Sequence, residues 1–295
     1  MKLVAVFLGG LLSLALDQPV FRSGVDLTTF AVTVADRKGN IVTDLTRDDF
    51  EVIEDGRAQA LRYFAQGDGE AAPAMHLGLM VDASGSMQND LKLAQGAAIK
   101  FLNMLPAAHD ITLVDFDTQV RITRYPQRDF PRLVERIRQR KADGWTALYD
   151  ALGTYLDGAG SQEGRTVMVM YTDGADSRSA LSLAETITLL KASSVTVYAI
   201  GLVEHTGSAR QQLQMTLRQL VETTGGQAFF PTAMTDVESA YDKVLAAING
   251  QYHLGYLSTN TLTDGAWRKV EIKVKRPDLR VRSRTGYYGP YQPAR

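Results

Sequence analysis

Three patterns of apolar and polar positions succeed one another along the chain. From Val25 they alternate, with Phe30, Val32 and Val34 on one face, until Asp36-Arg37-Lys38-Gly39-Asn40 breaks the run. Period two ending in such a cluster predicts a half-buried strand and a turn. Phe50 to Ile53, closed by Asp55-Gly56, and Leu61 to Phe64 predict further short strands. Residues 20–66 therefore read as an N-terminal β segment, and Gly67 to Pro73 as a linker.

The second pattern is an alternation of short apolar runs with helical periodicity. Leu77 to Val81 is a buried strand that stops at Asp82; Asn89 to Leu105 is a helix with Leu91, Ala94, Ala98, Phe101, Leu102 and Leu105 at helical spacing. Ile111 to Phe116 and Val120 to Tyr125 predict a hairpin about Asp117-Thr118. Helices are expected over Phe130 to Lys141 and from Thr146 through Leu156. Val167 to Tyr171 is wholly apolar, as in a parallel sheet covered on both faces, and stops at Thr172-Asp173-Gly174. Helix and strand continue to alternate up to Val237–Ile248. This is the pattern of a doubly wound, mostly parallel α/β domain over about 74–250.

The third pattern returns to period two. Val270, Ile272 and Val274 alternate with Lys269, Glu271, Lys273 and Lys275, with Tyr252 to Leu257 and Val281 to Tyr287 as companion strands. Three or four isolated strands make a poor core. Residues 251–290 are therefore expected to pair with 20–66 in a small β-sandwich, the α/β domain being inserted between them; two separate β extensions are the alternative. The row Arg280, Arg282, Arg284 reads as the solvated face of an edge hairpin, with an anionic contact as the competing role.

Composition narrows the function. A net charge of −1 over 295 residues gives no reason to expect a nucleic-acid partner. Residues 1–15 read as an export signal cleaved near Ala15: Lys2 leads, Leu3 to Leu12 is apolar apart from Gly9 and Gly10, and Ser13-Leu14-Ala15 offers small residues to a peptidase. A buried strand or an uncleaved anchor competes with that reading. The expected address is the periplasm, the cell surface or the medium, with membrane contact only through export or a partner. The absence of cysteine excludes disulfides, a thiol nucleophile and thiolate zinc sites.

Candidate chemistry lies at strand exits and helix starts. Asp82, Ser84 and Ser86 on the first loop, Thr146 after Asp143-Gly144-Trp145, and Asp173 on a third loop are expected to converge. Their oxygens are hard ligands that suit Mg²⁺ first, with Mn²⁺ or Ca²⁺ as alternatives. Neutral hydroxyls leave the ion much of its charge, so an open position can take a carboxylate from another molecule.

At these residues the chain resembles the von Willebrand factor A family, whose metal-ion-dependent adhesion site has the form Asp-x-Ser-x-Ser with a distant Thr and a distant Asp. The resemblance implies direct coordination by Ser84, Ser86 and, in some states, Thr146, with Asp82 and Asp173 close by, often through water. Trp145 stands where bacterial members commonly have Gly, which bears on the flexibility of that loop. Asn89-Asp90 falls where some members hold an adjacent metal, but reads here as ordinary first-turn helix residues. The flanks, Val42 to Gly56 and Arg284-Thr285-Gly286-Tyr287-Tyr288, are similar to bacterial exported proteins of the VWFA-related, acidobacterial-type group.

No enzyme is expected. The sequence has no nucleophile elbow and no phosphate-cradling glycine loop, and His76, His109, His205 and His253 are scattered. The expected function is cation-dependent binding of a protein that presents Asp or Glu, with Trp145 either as a rim anchor or packed against the neighbouring helix. The alternatives are a metal that only locks the loops, and, less favoured, metal-dependent hydrolysis. Oligomeric state is not legible.

Overall fold

Period sorts the strands: runs apolar on both faces form the middle of one sheet, and alternating runs form the sandwich. This computed structural model describes residues 27–67, 72–105, 108–160, 162–232 and 234–292. The export signal read at 1–15 and most of the linker lie outside those residues. First come β1 (Thr28–Ala35), β2 (Phe50–Glu54), β3 (Arg57–Gln59) and β4 (Leu61–Gln66). The α/β part starts with β5 (Met75–Asp82), α1 (Leu91–Met104), β6 (Asp110–Phe116), β7 (Val120–Pro126), α2 (Phe130–Gln139) and α3 (Leu148–Ala159). It continues with β8 (Arg165–Thr172), α4 (Leu183–Ala192), β9 (Thr196–Gly201), α5 (Arg210–Glu222), β10 (Ala228–Phe229) and α6 (Met234–Asn249). Then follow β11 (Tyr252–Tyr256), β12 (Trp267–Val274), β13 (Arg280–Arg282) and β14 (Gly286–Tyr288).

The six-stranded sheet runs in the order β10-β9-β8-β5-β6-β7, parallel except for the β6–β7 hairpin. Every residue of β5 and β8 is buried. On one face Leu77, Leu79 and Val81 pack with Phe101 of α1, Leu133 of α2 and Val244 of α6. On the other, Met80, Met168 and Met170 meet Leu152 of α3, Leu190 of α4 and Leu217 of α5. Helices on both faces make the domain doubly wound, as expected.

Two four-stranded antiparallel sheets, β13-β1-β11-β4 and β14-β12-β2-β3, enclose Phe30, Val32, Val34, Val52, Leu254, Val270 and Ile272. β1 lies between β11 and β13, and β2 pairs with β12. Neither terminal segment could bury these side chains without the other. The two flanking motifs meet inside: Glu54, 1% exposed, accepts hydrogen bonds from Tyr256 Oη (2.7 Å), Tyr287 Oη (2.9 Å) and Ser258 Oγ (2.5 Å). Arg268, itself buried, donates to Ser258 Oγ, Tyr287 Oη and the carbonyl of Leu262.

Three expectations need correction. Val281 to Tyr287 is not one strand but two, β13 and β14, in different sheets; period two persists through Ser283-Arg284-Thr285 and conceals the crossing. There Arg284 donates to the carbonyls of Thr29 (2.8 Å) and Ser193 (3.1 Å) and stacks on Phe30 at 4.6 Å. It is not part of a solvated face, and burial lowers its pKa to about 10. Thr146 also does not open a helix, since α3 begins two residues later.

Candidate metal centre

Parallel register brings the polar strand ends to one level. Val81 lies opposite Tyr171, so Asp82 and Thr172 finish adjacent strands together and Asp173 stands just beyond. On the other side Asp82 faces Phe116, so Asp117-Thr118 leaves at the same edge. This is the carboxyl end of the sheet, where open α/β folds bind ligands.

Asp82 is fully buried; its Oδ1 accepts the backbone N–H of Ser84 (3.0 Å) and its Oδ2 the hydroxyl of Thr172 (2.6 Å). Ser84 Oγ and Ser86 Oγ lie 3.0 Å apart. Asp173, 3% exposed, accepts from the N–H of Ala175 at 2.8 Å. The backbone laces the loops together. Gly85 N–H donates to Gly144 O (3.0 Å) and Asp143 N–H to Ala83 O (2.9 Å), tying the Thr146 loop to the first loop. Thr146 N–H donates to Ser177 Oγ (3.1 Å) and Ser177 N–H returns to Thr146 O (2.9 Å), tying it to the third. Ser84 and Thr146 are buried, whereas Ser86 is exposed and Trp145 is 65% exposed, so the cluster opens to solvent on that side.

Gly144 makes the lacing feasible. Its φ is +75°, and a Cβ there would stand 2.5 Å from Thr118 Oγ1, the atom that accepts the N–H of Trp145 at 2.9 Å. The left-handed residue of the loop thus sits one place before Trp145, and the turn does not need glycine where the tryptophan stands.

Electrostatics test whether a cation fits. Burial pushes the Asp82 carboxyl up to about 7; hydrogen bonds from Ser84 and Thr172 oppose this, and repulsion from Asp173 adds to it. Among the described residues no Lys, Arg or His forms an ion pair with Asp82 or Asp173. Two buried carboxyls without a counter-charge are costly. Hard oxygens around them suit a divalent cation, whose charge would relieve that repulsion. Among the described residues no group of three His, Asp or Glu could hold a metal, so an ion here depends on the hydroxyls of Ser84, Ser86 and Thr146.

The model of the von Willebrand factor type A domain matches residues 76–247. The chain belongs to that family. Among solved structures, a von Willebrand factor type A protein from Catenulispora acidiphila is similar over 92% of this chain and 76% of its own, at 14% identity and TM-score 0.50. The von Willebrand factor domain of a type V pili tip protein from Porphyromonas gingivalis is similar over 60% of this chain and 96% of its own, at 13% identity and TM-score 0.50. At such identities the likeness is one of fold. No curated protein matches the sequence.

Supporting residues of this A domain escape a reading by motif. Thr172 orients Asp82, Thr118 holds Trp145 and Ser177 holds Thr146. Asp176 accepts from Tyr149 N–H (3.2 Å), and Asp150 accepts from Ala180 and Leu181 N–H (2.9 and 3.0 Å), which fixes the start of α3 on the third loop. The signal for them was the dense run Asp176-Ser177-Arg178-Ser179, which lies outside any apolar period. Asp90 stands at the N-cap of α1, and its carboxyl lies 3.5 Å from His205.

Proposed function

We propose that this chain is a non-enzymatic binding protein whose A domain uses a divalent cation, Mg²⁺ by preference, to engage an Asp or Glu side chain of a partner protein. Ser84, Ser86 and Thr146 would hold the ion, with Asp82 and Asp173 behind them supplying the negative field. The ion's contribution is a positive charge with an exchangeable position. The observation that carries this reading is the pair of buried carboxyls without a basic partner among the described residues, beside a hydroxyl cluster that opens to solvent at Ser86. Export to the periplasm or surface is part of the proposal. No helix among the described residues is long and apolar enough to cross a membrane.

The test is capture from envelope extract by the immobilised chain in Mg²⁺, repeated in chelator and with Ser86→Ala. Specific capture should be lost in both. Capture that survives both would leave the metal with at most a loop-locking role. The exposed Trp145 is the rim anchor in this scheme. Trp145→Ala is expected to weaken partner binding by about 2 kcal/mol, the scale of an aromatic interface anchor, while Mg²⁺ affinity by calorimetry stays unchanged. A matching loss of Mg²⁺ affinity would assign Trp145 to the site's structure instead.

A further inference from the structure

The chain is nearly neutral, yet eight of its 32 Lys and Arg residues fall between Val120 and Lys141, against two acids, Asp129 and Glu135. The fold gathers this stretch on one edge. β7 is the last strand of the six-stranded sheet and pairs only with β6, so its outer backbone groups meet no strand among the described residues. Arg121 and Arg124 lie on β7, Arg121 on the α2 side of the sheet and Arg124 on the α3 side, 3.9 Å from Asp110; Arg128 lies in the turn after β7, Arg132 and Arg136 stand one turn apart on α2, and Arg140 is its C-cap. Arg136 and Arg140 reach Asp115 of β6 at 3.3 and 2.9 Å, which sets that side of α2 toward the sheet edge.

Charge is balanced at the base of this face and not at its surface. Asp115 and Asp117 hold Arg121 and Arg140 between them. Among the described residues Arg128, Arg132, Arg138 and Lys141 have no ion-pair partner, and all four are exposed. The face also adjoins the candidate cation centre. Asp117 O accepts the N–H of Ala147 at 3.1 Å, Thr118 holds Trp145, and only three residues separate Arg140 from Gly144.

We infer that the β7–α2 edge is a docking surface for an extended, acidic segment of a partner protein, laid along β7 with its carboxylates on Arg124, Arg128 and Arg132. Cations along an open edge repel a second copy of the same edge and leave it to a strand of opposite charge. An acidic protein segment fits better than a nucleic acid, because the face is one strand long and leads to a centre that would take a carboxylate. In that respect the inference rests on the proposed function.

The test uses the full chain and a labelled dodecapeptide alternating Glu and Thr, measured by fluorescence anisotropy at about 50 mM salt, where surface charges are weakly screened. Arg124→Gln/Arg128→Gln/Arg132→Gln should weaken binding about tenfold, in Mg²⁺ and in chelator alike, because each lost cation at a rim chiefly slows association. A Glu-Pro dodecapeptide of equal charge, unable to pair as a strand, should bind several-fold more weakly than the Glu-Thr peptide. Unchanged affinity in the triple variant would overturn the inference, as would equal binding of the Glu-Pro peptide or tighter binding of duplex DNA. The parent chain's own affinity for the Glu-Thr peptide is expected to fall in chelator; if it does not while the triple variant still loses tenfold, this surface stands and the cation centre loses its support, so the two readings fail separately.

Discussion

Asp82→Asn is expected to raise the thermal stability of the metal-free chain above pH 7 and, at the same time, to erase the stabilisation by Mg²⁺. Asp82 is fully buried and its carboxyl is pushed up to about 7 from 3.8. Below pH 4 the group is neutral in both folded and unfolded chains and costs nothing. Between pH 4 and 7 the unfolded chain ionises first, so folding loses stability, and the full penalty stands above pH 7. At about 1.4 kcal/mol per pKa unit the penalty is on the order of a few kcal/mol. The amide removes the charge and keeps the size, and the Thr172 hydroxyl can turn to accept from it. Denaturation by calorimetry in chelator at pH 8 should show the variant several degrees above the parent, given about 2–4 °C per kcal/mol for a large domain. At pH 4 the two should coincide. With Mg²⁺ in about hundredfold excess over its Kd, the parent should gain about 2.7 kcal/mol and the variant nothing. A variant less stable than the parent in chelator at pH 8 would show that the carboxylate is not an uncompensated buried charge.

Glu54→Ala is expected to cost about 3–5 kcal/mol, the range for removing one member of a buried charged network. The Glu54 carboxylate gathers the hydroxyls of Tyr256, Tyr287 and Ser258, and behind them Arg268 is 2% exposed. Truncation leaves the hydroxyls of Tyr256 and Tyr287 without their acceptor and removes the carboxylate from a network that the buried Arg268 joins through Ser258 and Tyr287, each unmet group adding about 1–3 kcal/mol of desolvation. Tyr287→Phe, which leaves the carboxylate and two of its donors in place, should cost about 1 kcal/mol. Urea unfolding followed by tyrosine fluorescence measures both. A Glu54→Ala loss below about 1 kcal/mol would mean that water enters and replaces the carboxylate.

The framework was legible because burial on two faces, on one face and on a helical stripe each leave a distinct period. Leu77 to Val81 and Val167 to Tyr171 could only be central strands, and Val270-Glu271-Ile272-Lys273 could only be half-buried. The polar stops at Asp82 and Asp173 were equally plain, since a carboxylate ending an apolar run has no role in a core. The crossing at Ser283-Arg284-Thr285 was not legible, because changing sheets does not interrupt an alternation. Nor was the partial burial of Arg284, whose neighbours Phe30, Thr29 and Ser193 come from distant parts of the chain.

For the candidate centre, sequence alone determined the chemistry: hard oxygens at strand exits, no thiolate, and an aromatic beside Thr146. Only the tertiary structure decided what surrounds those groups. It set Asp82 and Asp173 in the interior with no basic side chain to pair with among the described residues, turned Trp145 outward, held Thr146 through Ser177, and tied its loop to the first through Gly144. It also brought the arginines of β7 and α2 to one edge of the sheet. The reason is physical: residue type fixes which interactions a side chain can make, whereas burial, counter-charge and exposure depend on neighbours that only register and packing supply.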